Sequence, residues 1–271
     1  MGDDRGPGGP RERAEGAAAF RPVKSAYRAL DVLEALADGP ASPSELARLL
    51  EIPKSSLHGL LRTLSERGWV TAADGGARFR LGLRALQVGT QFVDEDDVVA
   101  RVAPTLDELA AATGETVQHA RLDGDEVVYL AKRDSPHPVR LISRIGSRLP
   151  AHATALGKAL LAARDDDTVR AVLRFPLPSL TGRTLTGWER LVEDLAATRE
   201  RGFAVDDGEA TDGLRCFAVA VPPDRRHQQQ PPTDAVSVSV PSFRLDEQRE
   251  AELVRALLDQ QRRLGGRASA R

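Results

Sequence analysis

Lys54, His58 and Arg62 stand four residues apart, and Ser65 closes the row. On a helix turning about 100° per residue they share one side, flanked by Ser55 and Gly59, while Leu57, Leu60, Leu61 and Leu64 fall within the opposite arc. The outward face is small, polar and positive. Such a face can enter the major groove of a DNA duplex, where lysine and arginine reach guanine edges or phosphates and serine reaches either. A polar helix face is more often simply solvated, so the flanking elements have to decide.

A second constellation carries different chemistry. Cys216, with His152 or His119 as base and Asp206 as orienter, supplies the residue types of a cysteine hydrolase. His119, His152, Asp206, Glu209 and Cys216 are all plausible metal ligands, as a metal sensor would need. Against the first, Cys216 opens the apolar run Phe217-Ala218-Val219, where a buried, inert thiol is the usual case. For the second, the separations of the five residues in sequence carry no weight. Neither alternative explains the Lys54 helix. The acidic run Asp94-Glu95-Asp96-Asp97 reads as a solvated or capping stretch, since no histidine or turn glycine closes a site there. The sequence therefore assigns no catalytic residue, no metal ligand and no cofactor, and no enzyme is expected.

The elements that must position the Lys54 row are legible on both sides of it. Ser42-Pro43-Ser44-Glu45 combines an N-cap serine, a proline at the first helical position and a glutamate three residues on, the pattern of a capping box. The helix it opens would bury Leu46, Leu49 and Leu50. Ile52-Pro53 stops that helix and restarts the chain at Lys54, giving two helices with a very short joint. An earlier helix from Ser25, with Leu30, Leu33 and Leu36 inward and a stop at Asp38-Gly39-Pro40, supplies a third wall for the core. Gly68 suits a helix end, Trp69-Val70 is strand-like, Asp74-Gly75-Gly76 is a turn, and Arg78-Phe79-Arg80-Leu81 alternates charge with apolar residues. This predicts a small wing with Arg78 and Arg80 on one side, placed to touch the DNA backbone or minor groove beside the helix. A winged helix-turn-helix over residues 24–83 is the reading that uses all of these signals.

Beyond it, Leu83 to Val99 reads as a helical connector carrying Leu86, Val93 and Val98. Pro104 is expected to kink or restart the helix, which runs on to Thr113-Gly114. Strand signals at Glu115–Leu122 and Val127–Ala131 flank the hairpin turn Asp123-Gly124, and a third strand is expected at Val139–Ser143. Helices are expected at Ala153–Ala163, Asp165–Leu173 and Gly187–Arg201. Strands follow at Phe203–Val205, Leu214–Val221 and Ala235–Val240, and a last helix runs from Asp246 to about Leu264. The class is α+β, built on an antiparallel sheet with helices outside it and room for a small-molecule pocket. The division expected is a disordered tail to residue 23, the winged domain at 24–83, a linker at 84–100, an effector-binding domain at 101–264 and a flexible tail at 265–271.

Composition sets bounds. A chain of 271 residues can hold two domains with real cores. Its net charge of -2 excludes a globally basic nucleic-acid coat, so any nucleic-acid contact must be local. The single cysteine excludes an internal disulfide framework, and no apolar run approaches the roughly 20 residues needed to span a bilayer. A soluble cytoplasmic protein with no membrane partner is expected.

Several separated motifs, in order, carry a family resemblance. They are Pro43-Ser44-Glu45-Leu46-Ala47, Pro53-Lys54-Ser55-Ser56-Leu57-His58, Gly114-Glu115-Thr116-Val117, the run from Ser147 through His152 and Gly157 to Ala159, Arg201-Gly202-Phe203-Ala204-Val205-Asp206-Asp207-Gly208-Glu209, and Gly213-Leu214-Arg215-Cys216. Together, from about Lys24 to Leu264, the chain resembles the isocitrate lyase regulator (IclR) family of bacterial transcription factors. The likeness implies a winged helix-turn-helix, a linker helix and an effector domain of GAF-like fold, assembled as dimers or dimers of dimers on double-stranded operator DNA. It implies a regulator, more often a repressor, controlled by a small-molecule effector, for which the helix start at the pocket makes a small organic or aromatic acid the expected class. The DNA-facing set would be Ser44, Lys54, Ser55, Ser56, His58, Arg62, Arg78 and Arg80. The resemblance also implies an effector pocket walled by Leu141, Leu149, Ala155, Leu156 and Leu214, with polar contacts from Asp206, Cys216, Ser237 and Ser239. The helix start near Ala155-Leu156 agrees with an anionic ligand, since unpaired N–H donors gather there. The leucines serve equally well as core, and the two serines could merely alternate along a strand. Two departures stand out: Gly59 where the family has a large polar residue, and a long Gln/Pro-rich insert between Pro222 and Thr233, expected to be a flexible loop without chemistry of its own.

Overall fold

A computed structural model describes residues 23–139, 143–224 and 227–267. Residues 1–22 of the tail expected to residue 23, the end of the tail expected at 265–271, Leu141, and the middle of the strand expected at Val139–Ser143 lie outside the described residues. The chain divides into two compact units between Gln91 and Phe92.

The first unit packs α1 (Lys24–Ala37), α2 (Pro43–Leu49) and α3 (Lys54–Glu66) against a hairpin of β1 (Val70–Ala73) and β2 (Arg78–Leu81). The capping box forms as its sequence requires: the Ser42 amide donates to Glu45 Oε2 at 2.7 Å and the Glu45 amide to Ser42 Oγ at 3.2 Å. At the end of α3 the chain reverses through Gly68, whose φ of 74° favours glycine, while Trp69 N–H reaches back to the Leu64 carbonyl. Val32, Leu36, Leu46, Ile52, Leu57, Leu61, Leu64 and Val70 form the core. Two expected core residues are instead exposed. Leu30, six residues before the buried Leu36, lies about 120° around α1 from it, because a spacing of three drifts off a helical face. Leu49 lies about 100° from the inner side set by Leu46, Ala47 and Leu50.

The connector helix α4 (Leu83–Glu95) buries no residue, and Leu83, Leu86, Val88 and Phe92 are exposed along it. The break that follows falls at Asp96, not at Pro104. Asp96 Oδ1 accepts from the amides of Val98 and Val99 at 3.0 Å each, capping α5 (Asp97–Thr113), and Pro104 sits inside that continuous helix.

In the second unit a six-stranded, fully antiparallel sheet has the order β5-β4-β3-β8-β7-β6. Its strands are β3 (Thr116–Asp123), β4 (Glu126–Arg133), β5 (Arg148–Pro150), β6 (Ala204–Asp207), β7 (Leu214–Ala220) and β8 (Asp234–Pro241). The strand paired beyond β4 is thus Arg148–Pro150; Val139 and Ser143, the ends of the strand expected there, are outside any strand. One face is covered by α5 and α9 (Glu247–Arg267), which pack on Val117, Phe217, Val219, Val236, Val238 and Val240. The other is covered by α6 (Ala155–Ala162), α7 (Asp166–Val172) and α8 (Trp188–Arg201), which pack around Ala120, Tyr129, Cys216, Ala218 and Ala235. β8 is buried along its whole length, so its alternation separates two interiors: valines point to one and Ser237 and Ser239 to the other.

Between the sheet and the start of α5 runs a polar chain that is buried at His119 and Asp234 and half-buried at Arg121 and Asp96. His119 Nε2 bonds Asp234 Oδ1 at 2.8 Å, Arg121 Nε lies 2.9 Å from Asp234 Oδ2, and Arg121 Nη1 lies 2.6 Å from Asp96 Oδ2. Burial works to raise the Asp234 carboxyl, but bonds from His119 and Arg121 outweigh it and hold it below the ordinary carboxylate range. The same arginine grips the residue that caps α5, tying the helix start to the sheet.

Candidate functional site

Two surfaces gather the residues of interest, one in each unit. On α3, Leu57, Leu61 and Leu64 are buried, while Lys54, Ser55, Ser56, His58, Gly59 and Arg62 are all exposed, as is Ser44 on α2. The outward row is bound to little else. Arg62 Nε sits 3.0 Å from Glu66 Oε1 in a pair whose side chains are 76% and 64% exposed, the kind worth well under about 1 kcal/mol and readily exchanged for a phosphate. The wing differs from expectation. Arg80 is exposed, but Arg78 turns back, donating through Nε to the Pro40 carbonyl at 3.2 Å and lying 3.4 Å from Glu45. Arg78 fastens the wing to the turn before α2, and only Arg80 of the two is presented outward.

In the second unit a cavity of about 360 Å³ opens between the sheet and the start of α6. Leu149, Ala155, Leu156, Asp206, Leu214, Cys216, Ser237 and Ser239 all line it. Strand register explains the grouping: Cys216 pairs with Ser239, Asp206 with Cys216, and Ala218 with Ser237, so their side chains share one face. The sequence reading missed Gln118, Tyr129, Ser143, Arg144, Ser147, Thr154, Ala210 and Thr211, which complete the wall. Period-2 alternation of β3 and β4 was the available signal for Gln118 and Tyr129. Ser147 and Thr154 lie within the motif that runs from Ser147 to Ala159, whereas Ser143, Arg144, Ala210 and Thr211 carried no signal.

Local chemistry builds the cavity's closed end. Thr154 caps α6, its Oγ1 accepting from the Gly157 amide at 3.0 Å. The amides of Ala155 and Leu156, in the first turn, have no acceptor within the helix. The helix starts this close to the turn at Ala151–Ala153 because residue 157 is glycine: a Cβ there would lie 2.1 Å from the Ala151 carbonyl oxygen. Behind it Lys158 is fully buried, its Nζ 2.5 Å from Glu209 Oε1 and 3.0 Å from Asp194 Oδ2. Asp206 is 4% exposed and accepts from the amides of Glu209 at 2.6 Å and Ala210 at 3.3 Å. Burial outweighs those two bonds, and with the Glu209 charge nearby pushes the Asp206 carboxyl up to about 7. Burial likewise drives the Cys216 thiol and the Tyr129 hydroxyl far up, so both stay protonated. At the mouth Arg144 is exposed. The arrangement offers amide donors, a buried unpartnered Ser237 hydroxyl and apolar walls, which suits a small carboxylate.

The histidines do not join this group. His119 is spent on Asp234 across the sheet, and His152 Nε2 donates to the Pro178 carbonyl at 3.0 Å beside a separate, smaller cavity bordered by Asp125 and Glu126. Among the described residues no three of His, Cys, Asp and Glu gather as a metal site. Among them, too, no helix is long and apolar enough to cross a membrane.

Comparison with known proteins agrees with both halves of this picture. Residues 25–74 match the family model described as the IclR helix-turn-helix domain, and residues 90–265 match bacterial transcriptional regulator IclR C-terminal. Over 235 residues the chain is 35% identical to the transcriptional repressor IclR of Escherichia coli K12, covering 85% of this chain and 84% of that one. Over 236 residues it is 34% identical to the acetate operon repressor of Salmonella typhimurium, covering 85% of each. In fold it is similar to the crystal structure of an IclR transcriptional regulator from Alicyclobacillus acidocaldarius, with a TM-score of 0.79, 28% identity, and coverage of 92% of this chain and 100% of the other. These relatives are regulators and not enzymes, which removes the cysteine-hydrolase alternative.

Proposed function

This chain belongs to the IclR family of DNA-binding bacterial transcriptional regulators with a C-terminal ligand-binding domain, and from that premise we propose that it is a repressor whose operator affinity is set by a small organic or aromatic acid. The observation that carries the DNA half is the solvent-facing row Lys54, His58 and Arg62 on α3, backed by buried leucines. Ser44, Ser55, Ser56 and Arg80 extend the contact, and Arg78 supports it from behind. A homodimer, or a dimer of dimers, places two such helices on half-sites about 34 Å apart or a multiple of it. The unburied apolar residues of α4 support a second copy lying along the connector.

The acid enters the cavity with its carboxylate toward the Ala155 and Leu156 amides and its body against Leu149 and Leu214. To control transcription it must favour one of two arrangements of the dimer, and a coupling of about 1 to 3 kcal/mol would change operator affinity by roughly 5- to 150-fold. The test is a gel shift on the DNA beside the chain's own gene, repeated with small acids that raise the melting temperature of the protein. Retarded DNA whose fraction changes with such an acid is expected; binding indifferent to every stabilising acid would refute effector control.

A further inference from the structure

Charge balance around the cavity leaves one group over. Lys158 from α6 and Arg201 from the end of α8 face Asp194 of α8 and Glu209 after β6: Lys158 lies 3.0 Å from Asp194 and 2.5 Å from Glu209, and Arg201 lies 3.6 Å from Asp194. Two cations match two carboxylates. Asp206, more buried than either of those carboxylates, has no ion pair among the described residues; its carboxyl receives the amides of Glu209 and Ala210 and the neutral Cys216 thiol. The other titratable groups turned toward it, Tyr129 of β4 and Cys216 of β7, are neutral when protonated, β8 contributes only the hydroxyls of Ser237 and Ser239, and Arg144 stands exposed at the mouth. An ionised Asp206 would put an uncompensated negative charge on the wall of a cavity that is to receive another.

We propose that the cavity takes up its anionic effector together with one proton, held on Asp206, which then acts as a neutral hydrogen-bond donor facing the ligand. The inference rests on the acid-effector reading above and adds the residue that sets the charge the site accepts. A carboxyl already raised to about 7 by burial is poised for this, because an approaching carboxylate raises it further. Small carboxylic acids remain ionised between pH 6 and pH 8, so the titrating partner is the protein. Linkage then makes an acid bind about tenfold more tightly at pH 6 than at pH 8, while an uncharged amide of the same acid is indifferent to pH.

The test uses the full-length protein with benzoate, 4-hydroxybenzoate, pyruvate and lactate as probes, and benzamide and lactamide as uncharged controls. Calorimetry at pH 8, where free Asp206 is mostly ionised, in two buffers of different ionisation enthalpy is expected to show uptake of close to one proton per acid bound, falling toward zero at pH 6, and none per amide at either pH. Asp206→Asn is expected to bind acids with no pH dependence and no proton uptake. Acids bound equally at both pH values, or with proton release, would overturn the proposal. Independently of any ligand, the infrared carbonyl band of a protonated carboxyl is expected in the free wild-type protein at pH 6 and lost at pH 8. Absence of that band at pH 6 sinks the proposal even if Asp206→Asn fails to fold. If the band is present and no probe binds at either pH, the acid-effector reading fails and takes the proton-coupled uptake with it, leaving only the protonation of Asp206 standing.

Discussion

Replacing Lys158 by methionine removes a buried charge while nearly keeping its volume. Its ammonium is sealed between Glu209 and Asp194, and the side chains are 1%, 8% and 22% exposed respectively. Deleting one member of a buried ion pair strands the other, at a cost of about 3 to 5 kcal/mol. Arg201 remains 3.6 Å from Asp194 and softens the loss there, so most of the penalty falls on Glu209, whose carboxyl burial already raises. The sign of the pH effect follows. A carboxyl raised in the folded state gives stability that is present at low pH and lost as pH rises through its folded pKa. The variant is therefore expected to lose about 3 to 5 kcal/mol near pH 7.5 and under about 1.5 kcal/mol near pH 5, where only the packing change remains. Because the two units need not unfold together, the assay is urea unfolding followed by Trp188 fluorescence in a Trp69→Phe background. Trp188 opens α8, beside Phe175 and Arg170, and so reports the second unit. A loss below about 1 kcal/mol at neutral pH, or the same loss at both pH values, would refute the reasoning.

Gly157→Ala forces a Cβ onto the Ala151 carbonyl, which is backbone and cannot rotate away; a loss of about 1 to 3 kcal/mol or more is expected by thermal unfolding, and a neutral result would mean that α6 does not start against that turn. At Gly59 a Cβ would meet nothing within 4 Å and the backbone is helical. Gly59→Ala is accordingly expected to raise stability by about 0.5 to 1 kcal/mol, seen as a higher melting temperature. The wing arginines should separate: Arg80→Ala weakens operator binding with stability unchanged, whereas Arg78→Ala lowers the melting temperature of the first unit. Matching behaviour of the two in both assays would contradict their different placements.

Elements set by local chemistry were legible. The Ser42–Glu45 capping box, the Ile52-Pro53 joint, the stop at Gly68 and the Asp123-Gly124 turn each depend on residues within a few positions, and their signals coincide with the structure. Helical faces were less so, because choosing leucines three apart misplaced Leu30, and only the packed core identifies Val32 as the centre of α1. The placement of Arg78 was hidden since its partner, the Pro40 carbonyl, lies 38 residues away, and alternation on a strand says which side a residue takes but not what it meets there. The cavity's sheet residues were within reach of the motifs. Arg144 comes from a loop with no pattern, Ser147 opens a family motif that does not say which of its residues face a cavity, and the buried Lys158 looks in sequence like any polar residue on an amphipathic helix.

The central claim is that the Lys54–Arg62 edge of α3 grips a duplex, and the salt dependence of operator binding tests it most directly. Plotting log K against log salt for wild type, Lys54→Ala and Arg62→Ala is expected to give shallower slopes for the variants, by about one for each phosphate no longer neutralised, with folding intact by circular dichroism. Variants that bind operator with the wild-type affinity and slope would contradict the account.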